Sequence, residues 1–160
     1  MEGILERTGI DLMPEIAFRV VGIPGAQGSK KLTRYGIMIE SSKKVIPWRQ
    51  DIKHASMEAY TGSPLDCPVS VAIEFIFPRP KSHFGTGKNS ETLKASAPMH
   101  LTSQGCGDID KLCRSTLDGI SVASGGTVIQ DDKQVISLCA EKRFARPREL
   151  PGANISIMPL

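Results

Sequence analysis

Residues 67–77 read CPVSVAIEFIF, with Val69, Val71, Ile73, Phe75 and Phe77 at every second position. Successive side chains of a strand point to opposite faces, so this spacing lines one face with apolar groups and predicts a β-strand closed by Pro78. Upstream, Glu15 to Gly22 (EIAFRVVG) reads as a first strand, ended by IPGAQGS, whose Pro24, Gly25 and Gly28 forbid regular structure. From Pro47, the positions Trp48, Ile52, Ala55, Ala59 and Tyr60 recur at helical spacing. They predict a helix over 47–61, with Pro47 in its first turn and a stop near Gly62 and Pro64. Downstream, residues 79–107 show no sustained periodicity and are expected to form a long functional loop. Ile109, Leu112, Cys113, Leu117 and Ile120 then share one stripe of an amphipathic helix over 108–120, with Lys111, Arg114, Ser115 and Asp118 opposite. A short strand at Thr127–Ile129, a longer one at Val135–Phe144 and a last one at Ala153–Met158 complete the pattern. The expected fold is α+β: a small mixed β-sheet with two main helices packed against it, in a single domain over 15–160. Residues 1–14 are expected to be a loosely ordered lead.

Composition excludes more than it selects. A chain of 160 residues with 40% hydrophobic content suits one core, and a net charge of +3 only weakly favours a polyanionic partner. The cations are unevenly placed: Lys30, Lys31, Arg34, Lys43, Lys44, Arg49 and Lys53 share a stretch with only Glu40 and Asp51. The longest apolar run, Val69 to Phe77, is broken by Ser70 and Glu74 and falls far short of the roughly 20 residues that cross a bilayer. The acidic N-terminus MEGILERTGIDLMPE lacks a basic and then apolar leader, so a cytoplasmic protein without membrane partners is expected. In that reducing setting Cys67, Cys106, Cys113 and Cys139 read as small buried hydrophobes, and no CxxC pair suggests zinc. His54 reads as a surface or packing residue of the first helix. PGAQGSKK is not GxxxxGK[ST], and no nucleotide cofactor follows from it.

The chemistry resides in two acidic pairs. On a regular helix, Asp108 and Asp110 would stand about 200° apart, whereas extended backbone points both to one side. The pair therefore acts together only at an extended helix mouth, after the pliable GCG of 105–107. Asp131–Asp132 ends the following short strand, so four carboxylates can converge. Hard divalent cations such as Mg²⁺ take about one to three such carboxylates and leave positions for water and phosphate, as phosphodiester hydrolysis requires. The same residues equally suit ordinary work: Asp108 or Asp110 as a helix cap, Asp131–Asp132 as a turn. The lysines between 30 and 53 suit a solvated face or, beside acids, a phosphate-neutralising surface. Arg114, one helical turn beyond Asp110, is placed to hold or polarise a phosphate, as is Lys111.

The segment GDIDKLCRSTLDGI over 107–120, followed by IQDDKQVISLCAEKR over 129–143, resembles the RusA family of Holliday junction resolvases. The shared pattern is Asp-x-Asp-[Asn/Lys]-Leu opening a helix, a Leu-Asp-[Ala/Gly] step, then Asp-Asp-x-Gln-Val on a strand. The GIPGAQGSKK turn and the FPRPKSH strand end are also similar, so the resemblance runs over about 16–158. It implies a RusA-like fold and a homodimeric endodeoxyribonuclease that recognises four-way junctions or related branched DNA. Such an enzyme makes paired nicks with Mg²⁺ or Mn²⁺ in DNA recombination and repair, in a bacterial or phage-infected cell. By this resemblance Asp108, Asp110 and Asp132 match the metal-binding acids, Asp131 and Lys111 support them, and Lys30, Lys31, Arg79 and Lys81 meet DNA. Arg114 falls where the family can have a catalytic lysine. Arginine keeps the charge but hardly ever deprotonates, which points to stabilising transition-state charge rather than donating a proton. A four-way junction has near two-fold symmetry, which two sites related by a two-fold axis would match. Two other classes stand beside this expectation. One is a catalytically silent DNA-binding module of the same fold; the other is a metal-dependent nucleotide phosphohydrolase, which would not need a broad basic surface.

Overall fold

The computed structural model describes residues 14–28, 30–40 and 42–160, so the expected lead falls almost wholly outside the described residues. The elements in chain order are β1 (Ile16–Val21), β2 (Lys30–Leu32), β3 (Met38–Glu40), α1 (Val45–Ala59), β4 (Val69–Phe77), α2 (Ile109–Ile120), β5 (Val135–Phe144) and β6 (Gly152–Pro159). Four strands form one mixed sheet in the order β1-β6-β4-β5. Within it β6 is antiparallel to both neighbours, while β4 and β5 are parallel. The result is the α+β fold expected, with β2 and β3 added as a separate antiparallel hairpin. That hairpin escapes sequence reading because KKL and MIE, at 3 residues each, are too short for alternation to register.

Parallel neighbours cannot be joined by a hairpin, and the segment between β4 and β5 supplies the crossover in the form of α2. Both helices lie on one sheet face, α1 against β1 and α2, and α2 against β5. The alternating row of β4 is buried there throughout, meeting Trp48 and Ile52 of α1 and Leu112 and Ile120 of α2. The helices approach closely at Gly119, where an added Cβ would stand 3.0 Å from Ile52 Cγ2. Beside that contact the buried Trp48 Nε1 donates to Thr116 Oγ1 (3.0 Å), which in turn donates to Leu112 O (2.8 Å). Burying these polar groups therefore leaves no hydrogen bond unmade.

Several expectations need correction. The first helix spans Val45–Ala59 rather than 47–61, drawing the buried Val45 into its first turn. Thr127–Ile129 is not a strand: Val128 and Ile129 are buried, but Ile129 makes only isolated bridges to Leu65 and Ser121. Ser115 does not belong to a free polar face, because it is buried with its hydroxyl donating to Gly25 O. Cys106 and Cys113 are buried free thiols, but Cys139 is exposed, at a β5 position turned to the sheet face that no helix covers. Between β4 and α2 the chain holds short 3₁₀ turns at Lys81–His83, Gly87–Asn89 and Gln104–Cys106 and an isolated bridge between Phe84 and Leu93. Among the described residues no helix is long and apolar enough to cross a membrane.

The β5–β6 connection is tied down by Arg143, which binds both carboxylate oxygens of Glu149 (2.6 and 2.9 Å) and reaches Glu74 (3.2 Å). The Arg143 hydrogen bonds, helped by the Arg146 N–H, pull the Glu149 carboxyl from 4.5 down to about 2. A depressed carboxyl stabilises the fold fully above its unfolded value, and that contribution disappears as pH falls toward the folded one. Glu149→Gln is therefore expected to lower the urea midpoint at neutral pH. Its gap from the parent protein should stay constant down to about pH 5 and close between 4.5 and about 2, as urea titrations across that range would show.

Candidate active site

The start of α2 is shaped by its preceding loop. Gly107 has φ +79, which glycine adopts freely, and an added Cβ would stand 2.4 Å from Ala26 Cβ. Asp108 follows as N-cap with extended backbone, yet its side chain makes no capping bond and pairs instead with Lys111 Nζ (3.1 Å). The IPGAQG turn is fastened alongside, with Gln27 N–H donating to Lys111 O (3.1 Å) and Ser115 to Gly25 O.

Asp110 and Arg114 stand one turn apart on the same face of α2 and border two depressions. On one side is a trough of about 710 Å³ between α2 and β5, floored by Cys113, Leu117, Leu138 and Ala140, with Asp132 on its wall. On the other is a basic cleft of about 420 Å³ that adds Lys30, Lys111 and Gln27. A third hollow of about 450 Å³ continues past Asp108 and Lys111 to Lys43 and Lys44. The side chains of Asp110, Arg114 and Lys30 are exposed and form no hydrogen bond or ion pair among the described residues. The Cys113 thiol is pushed up by burial and, further, by the charge of Asp110.

Asp132 is placed by the turn that leads into β5. Asp131 caps it, accepting Lys133 N–H at Oδ1 (3.0 Å), and Asp131 N–H donates to Gln134 Oε1 (2.8 Å). The Gln134 amide also donates to Leu65 O (2.8 Å) and Cys67 O (2.9 Å), locking the turn to the chain entering β4. Asp131 is held low by the Lys133 N–H and by its hydrogen bond with Asp132. Asp132 is pushed up by that same bond first, then by burial and by the charges of Asp131 and Asp118. Neighbouring carboxylates resist ionising together, so this pair holds on to a proton more readily than either acid alone. Asp118, close enough to act on Asp132, is neutralised by Arg49 at 2.6 Å.

Asp110, Arg114 and Asp132 thus share one trough, with Lys30 and Lys111 in the adjoining cleft, while Asp108 opens to the neighbouring hollow. The four acids do not converge, and among the described residues no three His, Cys, Asp or Glu side chains form a group able to cage a metal ion. The donors on offer are hard carboxylate oxygens, which suit Mg²⁺ or Mn²⁺, ions that need only one or two of them. Lys31 lies exposed on β2 and Lys81 in an exposed turn. The Arg79 guanidinium is engaged over the Phe144 ring (4.1 Å) and with Pro98 O (2.8 Å). Sequence reasoning named Lys43 and Lys44 only within the basic stretch and did not single out Gln134 or the Arg49–Asp118 pair as part of the site. Only Gln134 carries a local signal, its place in Asp-Asp-x-Gln.

Carboxylates bordered by cations on an α+β frame suit a protein that acts on phosphodiesters, and comparison of the chain with protein families identifies it as a nuclease. The family model described as Endodeoxyribonuclease RusA matches residues 22–158, so the chain belongs to the RusA family of Holliday junction endonucleases. No curated protein gives a significant match.

Gln134→Ala removes three hydrogen bonds and leaves the Cys67 carbonyl without its side-chain donor. A stability loss of about 1–3 kcal/mol is expected by chemical denaturation. A fall in nicking should accompany it, because the turn no longer fixes Asp132.

Proposed function

We propose that the chain is a divalent-metal-dependent, structure-selective endodeoxyribonuclease that resolves Holliday junctions or related branched DNA in recombination and repair. The observation that carries this is the sharing of one trough by Asp110, Arg114 and Asp132, with Lys30 and Lys111 on the far side of the same ridge. By the family resemblance Asp108, Asp110 and Asp132 are assigned as metal ligands, of which Asp110 and Asp132 border the trough while Asp108 opens to the neighbouring hollow and pairs with Lys111. A bound Mg²⁺ or Mn²⁺ would supply an activated water and polarise the scissile phosphate. Arg114 stabilises the charge that develops on the phosphate oxygens and, being permanently protonated, plays no part in moving a proton. Lys111 and Lys30 neutralise neighbouring phosphates and set the register of the strand, while Lys31, Arg79 and Lys81 meet flanking DNA. Asp131 holds the turn that presents Asp132. Cutting two strands of a junction symmetrically requires two such sites, which a homodimer with a two-fold axis provides. The proposed setting is the cytoplasm.

Asp110→Asn is expected to abolish nicking of a synthetic four-way junction in Mg²⁺ while binding, measured in Ca²⁺, is kept or tightened. The change removes a metal ligand and a negative charge facing phosphates. Nicking at the parent rate would overturn the assignment. Parent protein that binds the junction but never cuts it in any divalent metal is instead a silent DNA-binding module. Hydrolysis of free nucleotides but not DNA would make it a nucleotide phosphohydrolase.

Lys30→Ala should weaken junction binding and reduce the slope of log K against log salt by about one unit, the signature of one lost phosphate contact. A salt titration giving an unchanged slope removes Lys30 from the binding face.

A further inference from the structure

We infer that Lys142 is a positioning residue for the acidic site, holding the backbone immediately before the Asp-x-Asp and so fixing where Asp108 and Asp110 stand. This rests on the assignment of those acids as metal ligands. Lys142 lies on β5, opposite Phe75 of β4. Leu138, Ala140 and Phe144 alternate with it on the strand and turn toward the helices, so a lysine interrupts an otherwise apolar row. Its side chain is half-buried, and its ammonium donates to Gly107 O (3.0 Å) and lies 3.7 Å from Cys106 Sγ. The first helical bond of α2 runs from Leu112 N–H to Asp108 O, so the Gly107 carbonyl lies outside the helical ladder and needs another donor. Lys142 is that donor. From the other side Lys44, at the start of α1, reaches Gly105 O (3.3 Å), so the three-residue loop is gripped at both ends. Grip matters at this point because Gly107, with φ +79, is a joint that no side chain stiffens. A half-buried lysine set in an apolar row and spent on one carbonyl is what a site needs when an acid must be kept in place.

The test compares Lys142→Met, which keeps the aliphatic stem, with Lys142→Arg, which keeps a cationic donor, both in the full chain. For Lys142→Met, nicking at saturating junction should fall by about 10–100-fold, with a similar weakening of Mn²⁺ binding followed by paramagnetic resonance without DNA. KM and junction binding in Ca²⁺ should not change, and Lys142→Arg should recover most of both losses. Parent-like nicking and Mn²⁺ affinity in Lys142→Met would overturn the inference. So would a loss confined to KM and junction binding, which would make Lys142 a phosphate contact. If Lys142→Met loses its native circular dichroism, Lys142→Gln carries the same measurements with the same deciding outcomes. Asp108→Asn is run in parallel: if it also nicks and binds Mn²⁺ normally, the fault lies in the assignment of the acids beneath the inference.

Discussion

The parallel pairing of β4 with β5 is the constraint on which the site depends. Two parallel neighbours need a crossover, and here α2 is that crossover, laid back along β5 and running opposite to it. The helix start therefore lies near the end of β5, where Lys142 meets Gly107. Its last turns lie near the beginning of β5, where Asp132 feels the charge of Asp118. Acids distant in sequence come to face one trough because topology sends the chain out and back over the same strand.

Within that frame the charged groups divide their work. Asp118 is held by Arg49, Asp108 by Lys111, and Asp131 by the N–H of Lys133. The Glu74–Arg143–Glu149 cluster secures the β5–β6 connection. Among the described residues the side chains of Asp110, Arg114 and Lys30 form no hydrogen bond or ion pair, at exposed positions where keeping a charge hydrated costs little. Under the proposed function these are the charges that a phosphate and its metal would meet, and Asp110, Arg114 and Lys30 border one cleft.

Much of this was legible in the sequence, for physical reasons. Every second residue from Val69 to Phe77 is apolar because β4 packs one face against two helices, and the α2 stripe is apolar because it closes that core. The turn chemistry of Asp131 and the extended backbone at Asp108 follow from residue types that favour those conformations. What stayed hidden depends on contacts between distant residues. Ser115 looks like a surface residue until Gly25 O accepts its hydroxyl, and Cys139 looks like core until its strand parity turns it outward. Lys142 carries no signal in the sequence, because its bond to Gly107 O joins residues 35 positions apart.

The spacing of the acids has its own physical reason. Carboxylates brought within a few ångströms of one another repel unless a cation or a proton intervenes, and the Asp131–Asp132 pair already shows the cost in the raised Asp132. A protein that placed Asp108, Asp110 and Asp132 in contact would have to give each a partner, and each partner would then compete with the substrate's metal. Asp110 and Asp132 border one trough with Arg114 while Asp108 opens to the neighbouring hollow, so these acids are spread out rather than clustered. The demand then shifts from clustering to placement. Under the proposed assignment of these acids as metal ligands, such spacing works only if their backbone is held still, and the grip of Lys142 and Lys44 on the Gly105–Gly107 loop and of Gln134 on the Asp131–Asp132 turn meets that demand.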